Sequence, residues 1–328
     1  MSTGHRGIGY AALGQLSICC SWLLAKQKPS LWLLLPGAFL VLFYVWRSLL
    51  LSPSAPVGMQ GRTFDLYALY VDGSFGFQPS IWLHHLCSSK ILRGFLQGIY
   101  EGLPFAMGLA YASFLENQSK ALKVFCCFLL AGVLAVLCYR LLPICGPAYL
   151  PFGDECFYFD GSCSTASFFS GRPSFINIDS QWPRNGMPSL HMGWALLILW
   201  SYQGKSCQGR SCRAKKLGRW LALAFVLLTA VSTMVYGEHY LIDLLAAFFF
   251  SLIPWSLCMA DGWSRRGLAL AAGAVGYLAW VVLVRDHPGL FWVSPVMPWA
   301  SLLISCAVPL MIVFWRGGGP SAQESSHQ

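Results

Sequence analysis

The sequence predicts an all-α, polytopic transmembrane helix bundle of about eight spans. Three observations predict it. First, only 11% of the 328 residues are charged while 56% are hydrophobic. A water-soluble domain carries roughly a quarter charged residues, so the composition argues against a soluble enzyme. It also argues against a disordered chain, which needs the opposite balance. Second, the apolar residues fall in runs of about 20, the length that crosses a bilayer as a helix. Strict alternation over about ten residues, the signature of a membrane barrel, is absent from the sequence. Third, the 22 Lys and Arg behind the formal net charge of +9 sit in gaps between the runs, a placement that reads as membrane topology and not as a nucleic-acid surface.

In chain order the expected spans are residues 31–51, 94–115, 121–144, 187–202, 217–236, 240–260, 268–284 and 293–315. The apolar but interrupted run at 7–25 is a candidate ninth; it shows no clear small-residue cleavage site. Orientation follows from the basic residues. Alternate gaps collect Arg6, Lys26 and Lys28, then Lys120 and Lys123, then the cluster Lys205, Arg210, Arg213, Lys215, Lys216 and Arg219, then Arg265 and Arg266, then Arg316. That set is expected to be cytoplasmic. Most Asp and Glu lie on the other side, which carries two long loops, 52–93 and 145–186. The first mixes aromatic and polar residues and suits the membrane surface. In it His84 and His85 read as interfacial. The 14 Trp, 13 Tyr and 22 Phe are the aromatic excess expected at such interfaces.

Most of the 13 cysteines lie inside apolar runs, where they act as small hydrophobes. No CxxC pair suggests a metal site. Cys156 and Cys163 flank a polar loop and would suit a local disulfide in an oxidising compartment.

Two stretches carry chemistry: Asn185-Gly186-Met187-Pro188-Ser189-Leu190-His191 and Gly237-Glu238-His239-Tyr240-Leu241-Ile242-Asp243. Each sits at the outer end of a span, and the basic cytoplasmic loop lies between those spans. A membrane hairpin therefore returns both histidines to one face. Pro188 suits the first turn of a helix, Asn185 or Ser189 is placed to cap it, and His191 falls near its mouth. Such a helix start offers N–H groups and positive dipole to an anion; the plainer reading is a helix start with an interfacial histidine. His239 and Asp243, four apart, share a face if helical. A carboxylate on one imidazole nitrogen fixes the tautomer and leaves the other free to attack. The plainer reading here is a structural His–Asp pair, but ionisable groups in or near a span are costly and usually functional.

Taken together, PSLH followed by HYLID in consecutive helices resembles the type 2 phosphatidic acid phosphatase superfamily. The usual pattern there is Pro-Ser-Gly-His, then Ser-Arg, five residues, His, three residues and Asp. Leu190 in place of the Gly, with Met187 before the Pro, resembles the branch of inositol phosphorylceramide synthases and related inositolphosphotransferase-like membrane proteins. Gly146-Pro147-Ala148-Tyr149 and Tyr100-Glu101 are weaker echoes of that branch. The resemblance covers residues 60–260. It implies a six-helix core, with His239 as the nucleophile that forms a phosphohistidine, Asp243 as its orienting acid and His191 as the proton donor and later base. Ser189 and nearby N–H groups would hold phosphate oxygens. No metal and no cofactor is implied.

The chain departs from the pattern in two places. Ser232 matches the family Ser, but Thr233 replaces the Arg that normally follows. Arg172-Pro173 matches part of the first motif, but Thr165 stands where its Lys would be. The transferring phosphoryl group still needs cationic stabilisation. Arg172 and Arg184 are the candidates in the outer loop, with Asn185 beside them; pairing with Asp154, Glu155, Asp160 or Asp179 is the structural alternative for either Arg. These departures lean toward the transferase-like branch.

The expected organisation is an apolar N-terminal segment over 1–30, a catalytic transmembrane core over 31–260, two added helices over 261–315, and a disordered cytoplasmic tail over 316–328. The expected function is a lipid phosphatase or phosphotransferase acting on a phospholipid or lipid phosphate. Its site would face the periplasm, the extracellular side or an organelle lumen, and it would transfer to water or to a lipid alcohol. Nucleic acid is not an expected partner. A transporter or flippase that relays protons through His191, His239 and Asp243 is the competing class. It predicts midplane polar groups and internal symmetry, whereas these residues sit at helix ends and no repeat is visible.

Overall fold

In the computed structural model the described residues are 62–115, 117–150, 173–178, 182–203 and 210–314. The segment 1–30, the span 31–51, Arg172, Cys156, Cys163 and the tail 316–328 lie outside them. The described chain is an all-α bundle with almost no strand. Its elements are β1 (Arg62–Thr63), α1 (Asp65–Gly73), α2 (Pro79–Leu86), α3 (Lys90–Glu101), α4 (Leu103–Ala112), α5 (Gln118–Leu141), β2 (Ile176–Asn177), α6 (Leu190–Ser201), α7 (Arg210–Val235), α8 (Leu241–Cys258), α9 (Trp263–Asp286) and α10 (Val296–Phe314).

Among the described residues, five stretches are long and apolar enough to cross a membrane: α5, residues Lys216–Val235 of α7, α8, α9 and α10. They coincide with five of the expected spans, and the protein is an integral membrane protein. The other two described spans differ from expectation. Residues 94–115 do not form one helix. They break at Gly102 into α3, which is amphipathic, and α4, which is apolar all round. The cause is Pro104 at the second position of α4. It has no N–H for the Tyr100 carbonyl, and its ring disfavours an unbroken helix through that carbonyl. The span expected from Met187 starts three residues later, at Leu190, because Ser189 takes extended backbone as the N-cap. Pro188 therefore precedes the helix and does not sit in its first turn. At 1.5 Å per residue α6 is only about 18 Å long, shorter than the roughly 30 Å hydrocarbon layer.

Helix α8 is the hub, packing on α1, α5, α6, α9 and α10. Within its apolar window 72% of residues are buried, against 39% or less in the other four. Its packing follows from residue size. A Cβ at Gly276 of α9 would sit 2.2 Å from the Phe249 ring of α8, so only glycine lets these two helices approach. Helix α6 is buried around nearly its whole circumference, and its indole N–H groups find partners on neighbouring helices. Trp194 donates to the Phe128 carbonyl of α5 at 3.0 Å and Trp200 to the Ser251 hydroxyl of α8 at 3.0 Å. Buried Trp is stable only when that polar tip is paired.

The segment expected as the first long loop, 52–93, contains β1, α1 and α2 within its described part. It joins the second long loop through the two-residue antiparallel ladder β1–β2, which pairs Arg62 with Asn177 and Thr63 with Ile176. Phe64 and Phe175 pack edge-on beneath it, with ring centroids 4.9 Å apart.

Candidate active site

Both histidine stretches come to the same end of the bundle, and their backbones are joined. Ser189 caps α6 by accepting from the Met192 N–H at 3.3 Å. Its own N–H donates to the Asp243 carbonyl in the first turn of α8, at 3.1 Å. His191 stands in the first turn of α6, half-buried.

His239 is not helical, contrary to the spacing argument. Helix α7 ends in a Schellman arrangement: Gly237, at φ +64°, donates to Met234, and Glu238 donates to Thr233 at 3.1 Å. His239 follows in the turn, and Tyr240 is the extended N-cap of α8. Asp243, at the third helical position, accepts from the Tyr240 N–H at 2.9 Å through Oδ2. The same oxygen lies 3.5 Å from His239 Nδ1. The pair therefore meets because Asp243 folds back to cap its own helix. The separation is an ion-pair contact; Nδ1 of His239 and Oδ1 of Asp243 are buried without a formal hydrogen bond.

Two further carboxylates, to which the sequence reading gave no role, hold this turn. Asp72 of α1 accepts from the N–H groups of Leu241 at 2.8 Å and Ile242 at 3.2 Å. These are two of the orphan donors at the start of α8. Asp65, about two turns back on the same face of α1, accepts from Cys145 N–H at 3.1 Å, Gly146 N–H at 2.9 Å and the Tyr240 hydroxyl at 3.1 Å. Both acids are fully enclosed. Burial pushes the Asp65 carboxyl up to about 6 and the Asp72 carboxyl up to about 8, against the N–H donors, which favour the anion. The sequence signal was two acids seven apart in a nearly uncharged aromatic stretch.

The rest of the turn is gripped from three sides. Ser80 of α2 donates to the His239 carbonyl at 2.9 Å. His84 Nδ1 bonds the Val235 carbonyl at 2.7 Å, while an Arg93 guanidinium N–H lies 3.1 Å from its Nε2. A carbonyl accepts only, so Nδ1 carries the proton. Burial lowers the pKa of this imidazole. His84 is thus a buried structural residue and not an interfacial one. Gly146, at φ +134°, packs against the turn so closely that a Cβ would sit 2.5 Å from the Glu238 carbonyl oxygen. Tyr149 donates to Glu238 Oε2 at 2.7 Å.

The two imidazoles face each other across 6.3 Å between ring centroids, with a 59° interplanar angle. Tyr100, at the last turn of α3, stacks on His191 at 4.1 Å. Arg184 is half-buried in the outer loop. It donates to the Ile178 carbonyl at 3.0 Å, and its buried Nε has no partner among the described residues. Its hydrogen bonds run to loop carbonyls, not to either imidazole. Asn185 is half-buried beside it. Glu101 accepts locally from Gln97 at 2.8 Å. Among the described residues no group of three or more His, Cys, Asp or Glu side chains is arranged to hold a metal ion.

The fold and site define the class as an integral membrane helix bundle with two imidazoles and enclosed carboxyl groups gathered at one end. A family model described as the PAP2 superfamily matches residues 67–257, and the chain belongs to that superfamily. Membership supports phosphatase-type chemistry on lipid phosphate substrates within the membrane. Comparison with curated proteins and with solved structures gives no match.

Proposed function

We propose that this protein is a lipid phosphatase or phosphotransferase that works through a phosphohistidine, within the inositol phosphorylceramide synthase-like branch, at the extracytoplasmic face. The observation that carries the reading is the 6.3 Å separation of His191 and His239 with Asp243 behind His239. A nucleophile about 3 to 3.5 Å from phosphorus and a proton donor about 2.6 to 3.2 Å from the leaving oxygen require two rings at roughly this spacing.

His239 Nδ1 faces Asp243, so Nε2 is the attacking nitrogen. In the first step an Nε2–P bond forms and the P–O bond to the leaving alcohol breaks, while His191 gives that oxygen its proton. Asp243 balances the positive charge that develops on the His239 ring. In the second step His191, now neutral, takes a proton from water or from a lipid alcohol. The resulting oxygen attacks phosphorus, and the P–N bond breaks. Water gives hydrolysis and a lipid alcohol gives headgroup transfer. Ser189 and the first N–H groups of α6 hold phosphate oxygens. Arg184, whose Nε lacks a protein partner, and Arg172 of the same loop supply positive charge, with Asn185 as a neutral donor. The absence of the family Arg at Thr233 supports transfer over turnover of a simple phosphomonoester, since a dianion needs more cationic support. The distribution of Lys and Arg supports the extracytoplasmic placement.

The test is incubation of the purified protein with phospholipid labelled in its phosphate, with and without candidate lipid alcohols. The expected result is labelled product that grows with acceptor, and at least a 1,000-fold loss for His239→Ala, at the scale of removing a group central to the chemistry. A His239→Ala protein with unchanged turnover would end the proposal.

A further inference from the structure

The ring of Tyr100 lies almost flat on that of His191, with centroids 4.1 Å apart and planes inclined by 14°. This is the tightest ring contact at the site, and the two residues come from different elements 91 positions apart in the chain. We infer that Tyr100 is a positioning residue: it fixes the plane of the His191 imidazole and so aims its nitrogens at the oxygen of the leaving or attacking alcohol. The inference rests on the role proposed for His191.

The stack is well placed to do this. His191 stands in the first turn of α6 and is half-buried, and a histidine ring turns freely about its terminal torsion unless a neighbour holds it. Proton transfer needs the donor within about 10–20° of productive alignment. A misplacement of about 1 Å is enough to lower turnover about 100-fold. Tyr100 is itself held. The Tyr236 ring lies 6.3 Å from it, and the Tyr236 hydroxyl donates to the Arg93 carbonyl of α3 at 2.6 Å. Helix α3 leans on α7 while α4 leans on α6. The break at Gly102 thus lies just beyond Tyr100 and lets one interrupted span serve both neighbours. A continuous helix through Gly102 would carry Tyr100 on a single straight axis with no separate adjustment toward α7. The face of an aromatic ring does the positioning, so the phenol hydroxyl is dispensable and Phe is the conservative replacement.

The experiment compares Tyr100→Phe, Tyr100→Leu, His191→Ala and the double variant Tyr100→Leu/His191→Ala, using labelled phospholipid and reading kcat and KM separately. Thermal unfolding in detergent confirms that each variant folds. The expected result is that Tyr100→Phe stays within about twofold of the parent, while Tyr100→Leu lowers kcat by about tenfold or more with KM unchanged. In the His191→Ala background the Leu substitution lowers kcat no further. A Tyr100→Leu protein with parental kcat overturns the inference. So does an equal loss with and without His191, or a loss that Phe does not rescue. If His191→Ala alone keeps full activity, the role of His191 fails, and that variant reports it independently of any change at Tyr100.

Discussion

The two ends of this bundle handle charge in opposite ways. At the end where α6 and α8 begin, Asp65, Asp72 and Asp243 are sealed from solvent, each exposed by 1% or less. They are tolerated because backbone N–H groups meet them. At the other end the charges, among them Arg265, Arg219, Lys120 and Asp261, remain near the surface. Arg265 of α9 donates to the last carbonyls of α10, at Ile312 and Val313. Arg219 lies over the Phe314 ring at 4.4 Å, and Lys120 over Phe114 at 4.1 Å. Long side chains of this kind lay their stems on apolar surface and keep their heads in the interfacial layer. Enclosing a carboxylate is expensive, so the end that does it three times is the end where chemistry is expected.

This contrast can be broken experimentally, and the largest effect is expected at Asp72. Asp72→Ala strands the N–H groups of Leu241 and Ile242 in a buried setting, and each unsatisfied donor costs about 1–3 kcal/mol. Thermal or denaturant unfolding in detergent should show a loss of about 3 kcal/mol, and turnover should fall as well because the His239 turn loses its support. A variant with parental stability would show that the cap is unimportant.

A second effect is expected from pH. Asp65 is raised to about 6 and Asp72 to about 8 by burial, from an ordinary value of 3.8. A carboxyl whose folded value lies above its unfolded value stabilises the fold while protonated. That contribution is complete below the unfolded value and is lost as pH climbs through the folded one. Stability should therefore decline between about pH 4 and about pH 8. Asp72→Asn, which cannot ionise, should flatten the part of that slope above about pH 6. Unfolding midpoints measured across this range, with and without the substitution, check the sign.

The smallest effect belongs to the opposite end. Arg219→Leu removes an exposed cation–ring contact of about 0.5–1 kcal/mol. It should shift the unfolding midpoint slightly and leave turnover unchanged. A large loss of turnover there would erase the distinction between the two ends.

The sequence made one level of this architecture readable and hid another. Hydropathy over about 20 residues is a local property, so α5, α7, α8, α9 and α10 could be placed from composition alone. The start of α6 was readable to within three residues because Ser189 is a capping residue type. The interruption at Gly102 was written in Pro104, yet apolar character on both sides masked it. The His239–Asp243 contact was foreseen for the wrong local reason: four-residue spacing suggested one helix, whereas capping of α8 closes the distance. Asp65 and Asp72 went unassigned because their partners are backbone N–H groups 80 to 170 residues away and, for Asp65, the Tyr240 hydroxyl. No side-chain pattern encodes a main-chain donor site in a distant segment. Arg184 and Asn185 were legible as loop polar residues, but their sequence neighbourhood does not tell where their donors point.

One earlier detail sets a direction. Two helix starts meet beside the histidines, and they are loaded differently. That of α8 already has carboxyl oxygens of Asp72 and Asp243 on the N–H groups of Tyr240, Leu241 and Ile242, so its donors are taken. That of α6 is closed by the uncharged hydroxyl of Ser189, which leaves its dipole uncompensated. The positive pole left open at this end of the bundle is therefore the one on the His191 side.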